Sequence, residues 1–412
     1  MHIIVGAGIA GLWIADQMVA AGIPGRQITI LEKYDYIGGR IVSHTKDDLV
    51  YEIGAGRIHE SHHRVQALIK RFGLTWRPNG ATIEWRPLGG STSQPNRFDD
   101  AMAAIIPVLS ALPASDLATH TISELLSRIM GSAGATLLLE KYPYRAEVER
   151  LRADVALTAF KGEMGTHKGY GSVVGGLSAI TRGLTASLRG AGVRIRTGYT
   201  VTNVTGAATA TAYEVHVKER EKPLKAERVI LALHATALRR LPVVRDAEPL
   251  KHLVMAPLTR IYAQYPVVPD GSAWFAGIPR TVTNSPLRHI IPINPEIGLI
   301  MISYTDDRDT AAWHGFKGPA LTAAIQKEVR ALWPELEIPE PLWMRPYEWT
   351  EGCTYWRPGL YDPVAMSRAA MHPRPSTMPG LYMCGESFHV GQQAWIEGAL
   401  SHAEELWRTF LQ

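Results

Sequence analysis

Apolar positions at the start of the chain predict a strand, a helix and a second strand. His2 to Val5 is an apolar run of strand length, and an amphipathic stretch follows it as far as about Gly22. A second strand-like run, QITILE, ends in Glu32. Strands that alternate with a helix in this way indicate an α/β domain built on a parallel sheet.

Farther along the chain, helical and strand-like patterns occupy separate regions. Residues 101–160 carry apolar positions at i, i+3, i+4 and i+7, which predicts a block of helices. The low-complexity segment GAATATA, residues 206–212, predicts a hairpin turn, and RVILAL, residues 228–233, predicts a further strand. From about residue 241 to residue 374 strand-like alternation dominates, which suits a mixed sheet.

Composition narrows the class of protein. The chain has 412 residues, enough for two domains or one large composite fold, and its net charge of +4 is too weak to indicate nucleic-acid binding. Two cysteines, Cys353 and Cys384, cannot build a disulfide framework and indicate a reducing compartment. The apolar start lacks the basic region of a signal peptide. We therefore expect a cytoplasmic protein that binds neither nucleic acid nor a membrane.

The segment GAGIAG joins the first predicted strand to the helix and places Gly6, Gly8 and Gly11 in the G-x-G-x-x-G spacing. The first glycine permits a tight turn, the second lets a pyrophosphate approach the backbone, and the third lets the helix pack closely. The helix N-terminus would then face the phosphates. Glu32, about 20 residues after the last glycine, is placed to accept hydrogen bonds from an adenosine ribose. The segment therefore predicts a nucleotide site.

A second glycine pair follows Glu32 in the segment EKYDYIGGR. Gly38 and Gly39 allow another close backbone approach, and Arg40 supplies a cation for the same pyrophosphate. Dehydrogenases that use NAD do not need this second element. The two elements together resemble the flavin amine oxidase superfamily, which includes monoamine, polyamine and L-amino-acid oxidases, and the resemblance implies FAD as the cofactor.

The later segment GLYMCGESFHVGQQAWIEGALSHAEEL is similar to the closing motif of that superfamily. The resemblance implies that Gly385 and Glu386 reach the ribityl and pyrophosphate region and that Trp395 lies beside the flavin. It also implies a helix that starts near Glu397 under the flavin O2, with Ile396 among the cofactor contacts. A helix N-terminus there would stabilise the anionic reduced flavin.

The resemblance covers the whole chain and implies an α/β fold of the amine-oxidase and glutathione-reductase type. A Rossmann-like FAD-binding domain would be interleaved with a substrate domain made of a mixed sheet and the helical block. The backbone near Val201 would meet the adenine, and His234 stands where the family usually has proline, so the path of that loop stays open. The expected FAD-binding domain is residues 1–55, 165–240 and 375–412, and the expected substrate domain is residues 56–164 and 241–374, with the helical block at 101–160.

The segment YEIGAGRIH is unusual because Arg57 directly follows two glycines. In the family this segment passes the flavin ring, and Gly54 and Gly56 would admit the edge of the isoalloxazine. Amine and polyamine oxidases generally lack an arginine there, whereas L-amino-acid oxidases use one to bind the substrate α-carboxylate. The planar fork of a guanidinium suits this task because it pairs with a carboxylate through two hydrogen bonds. The alternative is that Arg57 pairs with Glu52 or with the FAD phosphates.

Within the family, the motifs APLTRIYAQYP, SPLRHIIPI and MISYTDD are most similar to the L-tryptophan oxidases of violacein biosynthesis. Arg260 stands where most of the family has a lysine that assists the reaction with oxygen. An arginine at this position would either change the reaction with oxygen or serve as a second contact to the substrate carboxylate. Tyr304 matches a substrate-contacting tyrosine, with a place in the strand core as the alternative. Trp395, Trp356 and Tyr304 would form aromatic walls around the reacting Cα–N bond.

Cys353 lies in the segment EGCTYW, which is similar to the context in which monoamine oxidases tether FAD covalently. The matching position of the tryptophan oxidases is not a tether, and a buried free thiol is the commoner outcome. We therefore expect FAD to be bound without a covalent bond.

The segment HESHHR places His59, His62 and His63 close together. No cysteine or carboxylate spacing supports a metal site, and adjacent histidines rarely face one ion. We expect no metal here and a solvated helix start instead.

These residues and the resemblance predict an FAD-dependent L-amino-acid oxidase. A hydride would pass from the substrate Cα to flavin N5 to give an imino acid, and O2 would reoxidise the flavin to give H2O2. An aromatic amino acid such as L-tryptophan is the expected substrate, on the resemblance alone. The alternatives are an amine or polyamine oxidase with a structural Arg57, and a flavin monooxygenase or desaturase of the same fold. A homodimer is compatible with the prediction.

Overall fold

The computed structural model describes residues 1–47, 49–80, 82–90, 92–163, 169–206, 212–269 and 271–412, without the side chains of residues 162 and 163. Most of the hairpin turn predicted over residues 206–212 lies outside the described residues, as does the expected domain boundary at residue 165.

The described residues form strands along the whole chain. In chain order they are β1 (His2–Val5), β2 (Ile28–Leu31), β3 (Ser43–Lys46), β4 (Leu49–Glu52), β5 (Ile58–His59), β6 (Trp76–Pro78), β7 (Ile83–Trp85), β8 (Gln94–Pro95), β9 (Tyr170–Val173), β10 (Arg194–Arg196), β11 (Val201–Thr205), β12 (Tyr213–Val217), β13 (Leu224–Ala226), β14 (Arg228–Leu231), β15 (Leu253–Gln264), β16 (Arg280–Val282), β17 (His289–Asn294), β18 (Leu299–Asp306), β19 (Trp343–Trp356) and β20 (Leu381–Met383).

Helices connect and cover these strands. In chain order they are α1 (Ile9–Ala20), α2 (His63–Arg71), α3 (Phe98–Ser110), α4 (Ala114–Thr119), α5 (Ile122–Leu139), α6 (Arg145–Glu149), α7 (Ala153–Glu163), α8 (Ser178–Gly190), α9 (Ala235–Arg239), α10 (Glu248–Lys251), α11 (Gly318–Leu332), α12 (Pro363–Met371) and α13 (Ile396–Leu406).

Five short strands form a parallel sheet in the order β10-β2-β1-β14-β20. Ile3 and Ile4 of β1 point to opposite faces of this sheet, and both are fully buried because packed elements cover the two faces. The strand, helix and strand predicted at the start of the chain are confirmed as β1, α1 and β2. The sheet takes its strands from the N-terminal, central and C-terminal parts of the chain.

Helix α1 is not the amphipathic helix that the sequence predicts. Its buried residues lie around most of its circumference, because it packs between the parallel sheet and helices α8 and α13. Its one charged residue, Asp16, is also buried and accepts two hydrogen bonds from the guanidinium of Arg71, at 2.6 and 2.8 Å. This packing fixes the N-terminus of α1 at the carboxyl end of β1.

A larger sheet of seven strands has the order β19-β15-β18-β17-β16-β7-β8. The pair β16 and β7 is parallel and the other pairs are antiparallel, so the sheet is mixed, as the alternation after residue 241 predicts. The long central strand β15 pairs with β18 and β19, and this register sets Arg260 opposite Tyr304.

The predicted helical block is confirmed as α3 to α7, although the run AEVERLRADVALTAF breaks into two helices, α6 and α7. Helix α5 begins with a capping box, in which Thr121 and Glu124 each satisfy the backbone N–H of the other. Gly131, with φ of 78°, interrupts α5. Among the described residues, α5 is the one helix long and apolar enough to cross a membrane by length and composition, and 28% of it is buried.

Candidate functional site

One cavity of about 1280 Å³ extends from the glycine loop after β1 to the inner face of the seven-stranded sheet. It brings together almost all of the predicted site residues, although they come from distant parts of the chain. Those that line it are Gly6, Gly8, Glu32, Gly39, Arg40, Gly56, Arg57, Val201, Arg260, Tyr304, Gly385, Glu386, Trp395 and Ile396.

The three glycines of the first loop differ in what surrounds them. Gly6 has φ of 103°, and Gly11 lies so close to the loop that a Cβ there would stand 2.1 Å from the carbonyl oxygen of Gly6. The space beside Gly8 is open instead, since beyond the adjoining backbone no described atom lies within 4 Å of where its Cβ would be. The loop is therefore tight on its protein side and open on its cavity side, which fits a pyrophosphate at the N-terminus of α1.

The carboxylate of Glu32 is held by the backbone. Its two oxygens accept hydrogen bonds from the N–H groups of Ala7 and Tyr34, at 2.8 and 2.9 Å. Glu32 is buried at the end of β2 and lines the cavity. Because each carboxylate oxygen can accept a second hydrogen bond, Glu32 can still accept hydrogen bonds from ribose hydroxyls.

Arg40, expected to face a pyrophosphate, forms an ion pair with Glu386 and donates to the carbonyl of Gly352 at 2.9 Å. Glu386 also accepts hydrogen bonds from the hydroxyl of Thr354 and the N–H of Ala394, both at 3.0 Å. Burial alone would raise the pKa of Glu386, but the charge of Arg40 and these hydrogen bonds outweigh it and hold that pKa below its usual value. The pair ties the second glycine element to the closing motif.

The closing motif turns through Gly385, with φ of 145°, into the helix that was predicted near Glu397. That helix, α13, begins at Ile396 with Trp395 as its N-cap residue. The carboxylate of Glu397 accepts a hydrogen bond from the N–H of Val65 at 3.0 Å and so caps α2 rather than facing the cavity. The N-terminus of α13 therefore keeps its positive end toward the cavity.

Cys353 lies on β19 and lines the cavity as a free thiol. Burial raises its pKa to about 12, with a smaller opposing effect from Arg40. A thiol with so high a pKa is a poor nucleophile at neutral pH, because the thiolate is the reactive form.

His234 stands where the family usually has proline, and for that reason the path of the loop after β14 could not be predicted. Its Nδ1 accepts a hydrogen bond from the N–H of Ala237, which makes His234 the N-cap of α9. Burial, together with the charge of Arg40, lowers the pKa of His234 to about 4. The ring is therefore neutral at pH 7, and its contact with Glu351 at 3.4 Å is not an ion pair at that pH.

Arg57 lies among three aromatic rings at the far end of the cavity. Its guanidinium carbon is 4.4 Å from the ring centroid of Tyr170, 4.7 Å from that of Tyr144 and 5.4 Å from that of Trp395. Glu52, the alternative partner, instead accepts hydrogen bonds from a backbone N–H of α8's N-cap residue and from a serine hydroxyl. Within the described residues no carboxylate forms an ion pair with Arg57, so its hydrogen-bond donors are available to a ligand.

Gly54 and Gly56 line the cavity, and each also lies close to another protein group. A Cβ at Gly54 would stand 2.1 Å from the carbonyl oxygen of Arg40, and a Cβ at Gly56 would stand 2.8 Å from Nη1 of Arg260. Both glycines therefore make room for neighbouring protein groups. Arg260 also donates to the carbonyl of Glu52 at 2.9 Å, so part of its guanidinium is already engaged by the backbone.

The aromatic walls also differ from the expectation. Tyr304 lines the cavity, with its ring 5.6 Å from the guanidinium carbon of Arg260. Trp356 does not line it: the side chain is completely buried in the core. Alternation along β19 explains this, because Cys353 and Tyr355 face the cavity and the next residue points to the opposite side.

Three residues near Arg57 were missed from the sequence: Tyr144 and Arg280, which line the cavity, and Tyr170, whose ring lies against the Arg57 guanidinium. Tyr170 stacks on Trp395 with a centroid distance of 5.7 Å, and Tyr144 meets Tyr304 edge to face at 5.5 Å. They lie on three separate elements, and none belongs to a motif of fixed spacing. A single sequence gave no signal that could have found them.

The carboxyl groups of Asp306 and Glu147 line the same end of the cavity as Arg57. Asp306 accepts hydrogen bonds from the N–H groups of Arg145 and Ala146, at 2.9 and 3.3 Å, and so caps α6. Burial nevertheless raises the pKa of Asp306 to about 8. Glu147 accepts a hydrogen bond from the hydroxyl of Tyr142.

The predicted helix start at the histidines is confirmed, but it is not solvated as a whole. His62 is the N-cap of α2 and is completely buried, His59 is buried as well, and only His63 is exposed. The ring of His62 meets that of Trp395 edge to face at 5.1 Å. The described residues contain no group of His, Cys, Asp and Glu side chains arranged to hold a metal ion.

Comparison with known families gives a match over almost the whole chain. The profile of the family described as flavin-containing amine oxidoreductase matches residues 9–134 and 111–405. The solved structure of a putrescine oxidase variant redesigned for cofactor binding superposes with a TM-score of 0.79 at 16% identity, covering 100% of this chain and 98% of the other. A structure of wild-type putrescine oxidase bound to putrescine gives a TM-score of 0.76, also at 16% identity, with coverages of 98% and 97%.

The sequence similarity to two curated relatives covers a short segment. An L-amino-acid oxidase of Sistrurus catenatus edwardsii is 39% identical over 72 residues, which are 18% of this chain and 13% of that protein. A putrescine oxidase of Kocuria rosea is 42% identical over 72 residues, which are 18% of this chain and 14% of that protein. The chain thus matches less than one sixth of the length of either curated relative.

Proposed function

Because the chain belongs to the flavin-containing amine oxidoreductases, we propose that it is an FAD-dependent L-amino-acid oxidase. Bound FAD would accept a hydride from the substrate Cα, which would give an imino acid, and O2 would take up the electrons with release of H2O2. One observation carries the proposal: Arg57, without an ion pair among the described residues, lies in the same cavity as the dinucleotide loop.

The residues that would hold FAD are those of the nucleotide end of the cavity. The backbone beside Gly8 and the N-terminus of α1 would hold the pyrophosphate, and Glu32 would accept hydrogen bonds from the ribose hydroxyls. The N-terminus of α13, after Trp395, lies where it would favour negative charge on the ring system. The raised pKa of Cys353 supports binding without a covalent bond.

Arg57 would bind the substrate α-carboxylate and so fix the orientation of Cα–H toward the flavin. Its position among the rings of Tyr144, Tyr170 and Trp395 holds the guanidinium in place and excludes water from its faces. In such a site each charge-assisted hydrogen bond contributes on the order of 1.5–3 kcal/mol.

We propose that the enzyme prefers amino-acid substrates with an aromatic side chain. A smaller cavity adjoins the main one at Arg57 and is lined by Tyr144, Tyr170 and Trp395 together with Val155 and Phe160 of α7. Such walls suit an aromatic or large apolar group. The likeness of three motifs to the tryptophan oxidases points to the same preference.

The experiment is to mix the anaerobic holoprotein with single L-amino acids and with the matching decarboxylated amines, and to follow loss of the visible flavin absorption. L-tryptophan against tryptamine and L-phenylalanine against phenethylamine are matched pairs. Reduction by the amino acid and not by its amine supports the proposal. Reduction by both to the same extent refutes a carboxylate requirement, and detection of H2O2 after air is admitted tests the acceptor.

An amine oxidase is the second candidate, and one observation favours it. The carboxyl groups of Glu147 and Asp306 line the same end of the cavity as Arg57 and could receive an ammonium group. The fold likeness to putrescine oxidase agrees with either candidate, because fold does not determine substrate. Putrescine and other amines in the same anaerobic experiment separate the two.

A further inference from the structure

Arg280 is a second arginine at the end of the cavity that contains Arg57. It lies at the start of β16, where its Nη1 donates to the carbonyl of Gly80 at 3.2 Å. Its Nε is buried and has no hydrogen-bond partner within the described part of the chain. The side chain lines the main cavity, so an anion there could reach it.

The two arginines approach the same side chain. The guanidinium of Arg57 lies 4.7 Å from the ring centroid of Tyr144, and the side chain of Tyr144 also acts on the pKa of Arg280. Tyr144 therefore interacts with both positive groups. A carboxylate has two oxygens and can accept hydrogen bonds from two guanidinium groups at once.

The charges at this end of the cavity leave the two cations incompletely balanced. The carboxyl groups of Glu147 and Asp306 line the same end and the charge of Glu147 acts on Arg57, but neither Arg57 nor Arg280 forms an ion pair with a described carboxylate. Burial, and then the charge of Arg57, lower the pKa of Arg280, while Tyr144 and Tyr170 act in the opposite direction. Since two like charges in a buried site repel, a bound anion between them would be stabilised by both.

Arg260 is less suited to the same task. Its Nη1 donates to the carbonyl of Glu52 at 2.9 Å, and its guanidinium packs against Gly56. The Nε of each arginine is buried and has no hydrogen-bond partner among the described residues, so what separates the two positions is the contact of the Arg260 guanidinium with Gly56.

We propose that Arg280 is a second carboxylate-binding residue, which holds the substrate α-carboxylate between its own guanidinium and that of Arg57. This inference rests on the proposed function, because it assigns a partner to the group that distinguishes an amino acid from an amine. Arg280 is then a specificity-determining residue that touches substrate.

The test uses the purified holoprotein and two probes of equal shape, benzoate and its neutral analogue benzamide. Dissociation constants are measured from the change in the flavin spectrum for the wild type and for Arg280→Gln, Arg280→Lys and Arg345→Gln. Arg345 is an exposed arginine of the same seven-stranded sheet and serves as the matched control. Bound flavin and thermal unfolding confirm that each variant is folded.

We expect Arg280→Gln to weaken benzoate binding by about ten- to a hundredfold and to leave benzamide binding unchanged. Arg280→Lys should recover most of the affinity, which keeps the test valid if the glutamine variant does not fold. Equal losses for both probes, or no loss for either, would overturn the inference.

Amino acids give an independent arm. The KM of the best neutral amino acid should rise in Arg280→Gln with little change in kcat. If L-aspartate or L-glutamate instead reduces the wild-type flavin fastest and loses most in the variant, Arg280 binds a second carboxylate and the inference fails. If no amino acid reduces the wild-type flavin, the proposed function fails, while the benzoate comparison still decides whether Arg280 binds a carboxylate.

Discussion

Two buried carboxyl groups line the cavity, Glu386 at its nucleotide end and Asp306 at its substrate end, and their pKa values move in opposite directions. Burial acts to raise both. At Glu386 the contact with Arg40 outweighs burial, whereas at Asp306 two backbone N–H groups do not, and the pKa rises to about 8. A cation in direct contact is what differs between the two sites.

The same contrast holds for the two ends of the cavity as a whole. At the nucleotide end, Arg40 and Glu386 neutralise each other and backbone groups satisfy Glu32. At the substrate end, Arg57 lies among aromatic rings and within the described residues has no carboxylate in an ion pair. A cofactor that stays bound thus meets a balanced surface, and a substrate that carries its own charge meets an unbalanced one.

The largest effect should come from the glycine loop. Gly11→Ala places a methyl group against the carbonyl of Gly6, so we expect a loss of about 3 kcal/mol in the free energy of unfolding and no bound flavin. Gly8→Ala meets no described protein atom, so the protein freed of flavin should keep its unfolding temperature while its flavin affinity falls. Urea unfolding and flavin titration measure both. Equal behaviour of the two variants would contradict the assignment of Gly8 to the cofactor.

The next effect tests the substrate end. Arg57→Gln should lower kcat/KM for the best amino acid by roughly a hundredfold, because two charge-assisted hydrogen bonds to the carboxylate are weakened. Flavin content should not change, since the nucleotide end is independent of Arg57. Arg345→Gln is the control for loss of an arginine from the surface. An equal loss with the decarboxylated amine would give Arg57 a structural role.

A smaller effect concerns pH and sharpens the comparison of the two carboxyl groups. The contribution of Asp306 to stability should be complete below its usual pKa of 3.8 and lost progressively as the pH rises to the folded value near 8. The side chain of Asp306→Asn cannot ionise, so this variant should not lose stability in the same way. The unfolding free energy of the wild type minus that of the variant should therefore fall as the pH rises over this range. Denaturant unfolding at a series of pH values measures it.

Glu386→Gln should show the opposite sign. The folded pKa of Glu386 lies below its usual 4.5, so its contribution is present above that value and lost as the pH falls through the lowered pKa. The same trend in both variants would show that burial and ion pairing do not separate the two sites.

The smallest effect is expected at Cys353. Denaturation should release the flavin into solution from the wild type and from Cys353→Ala alike, because a thiol with a pKa near 12 is rarely ionised at neutral pH. Flavin that stays with the denatured wild-type protein and not with the variant would show a covalent bond.

The nucleotide end could be predicted from sequence because its parts are local. Gly6, Gly8, Gly11 and Glu32 belong to one strand, helix and strand unit, and the spacing of that unit follows from its geometry. The substrate end could be predicted only in part. Arg57 follows a readable glycine motif, but Tyr144, Tyr170 and Arg280 come from separate elements that only tertiary packing brings together.

The errors have equally physical causes. Trp356 was placed in the wall of the cavity, but one step along β19 turns a side chain from the cavity to the core. The close contact of Gly56 with Arg260, which follows it by about two hundred residues, was not predicted. Contacts so distant in sequence leave no pattern within either segment.

The parallel sheet has a consequence for biosynthesis. Its order places strands from residues 2–5, 28–31, 194–196, 228–231 and 381–383 side by side, and the cavity wall extends to Ala399. A ribosome makes these segments one after another, at about 5–20 residues per second. The growing chain therefore cannot complete its flavin pocket until the closing motif has emerged. Flavin therefore binds late in the synthesis of each molecule. Until then the stability of the nascent chain comes only from the elements that have already folded.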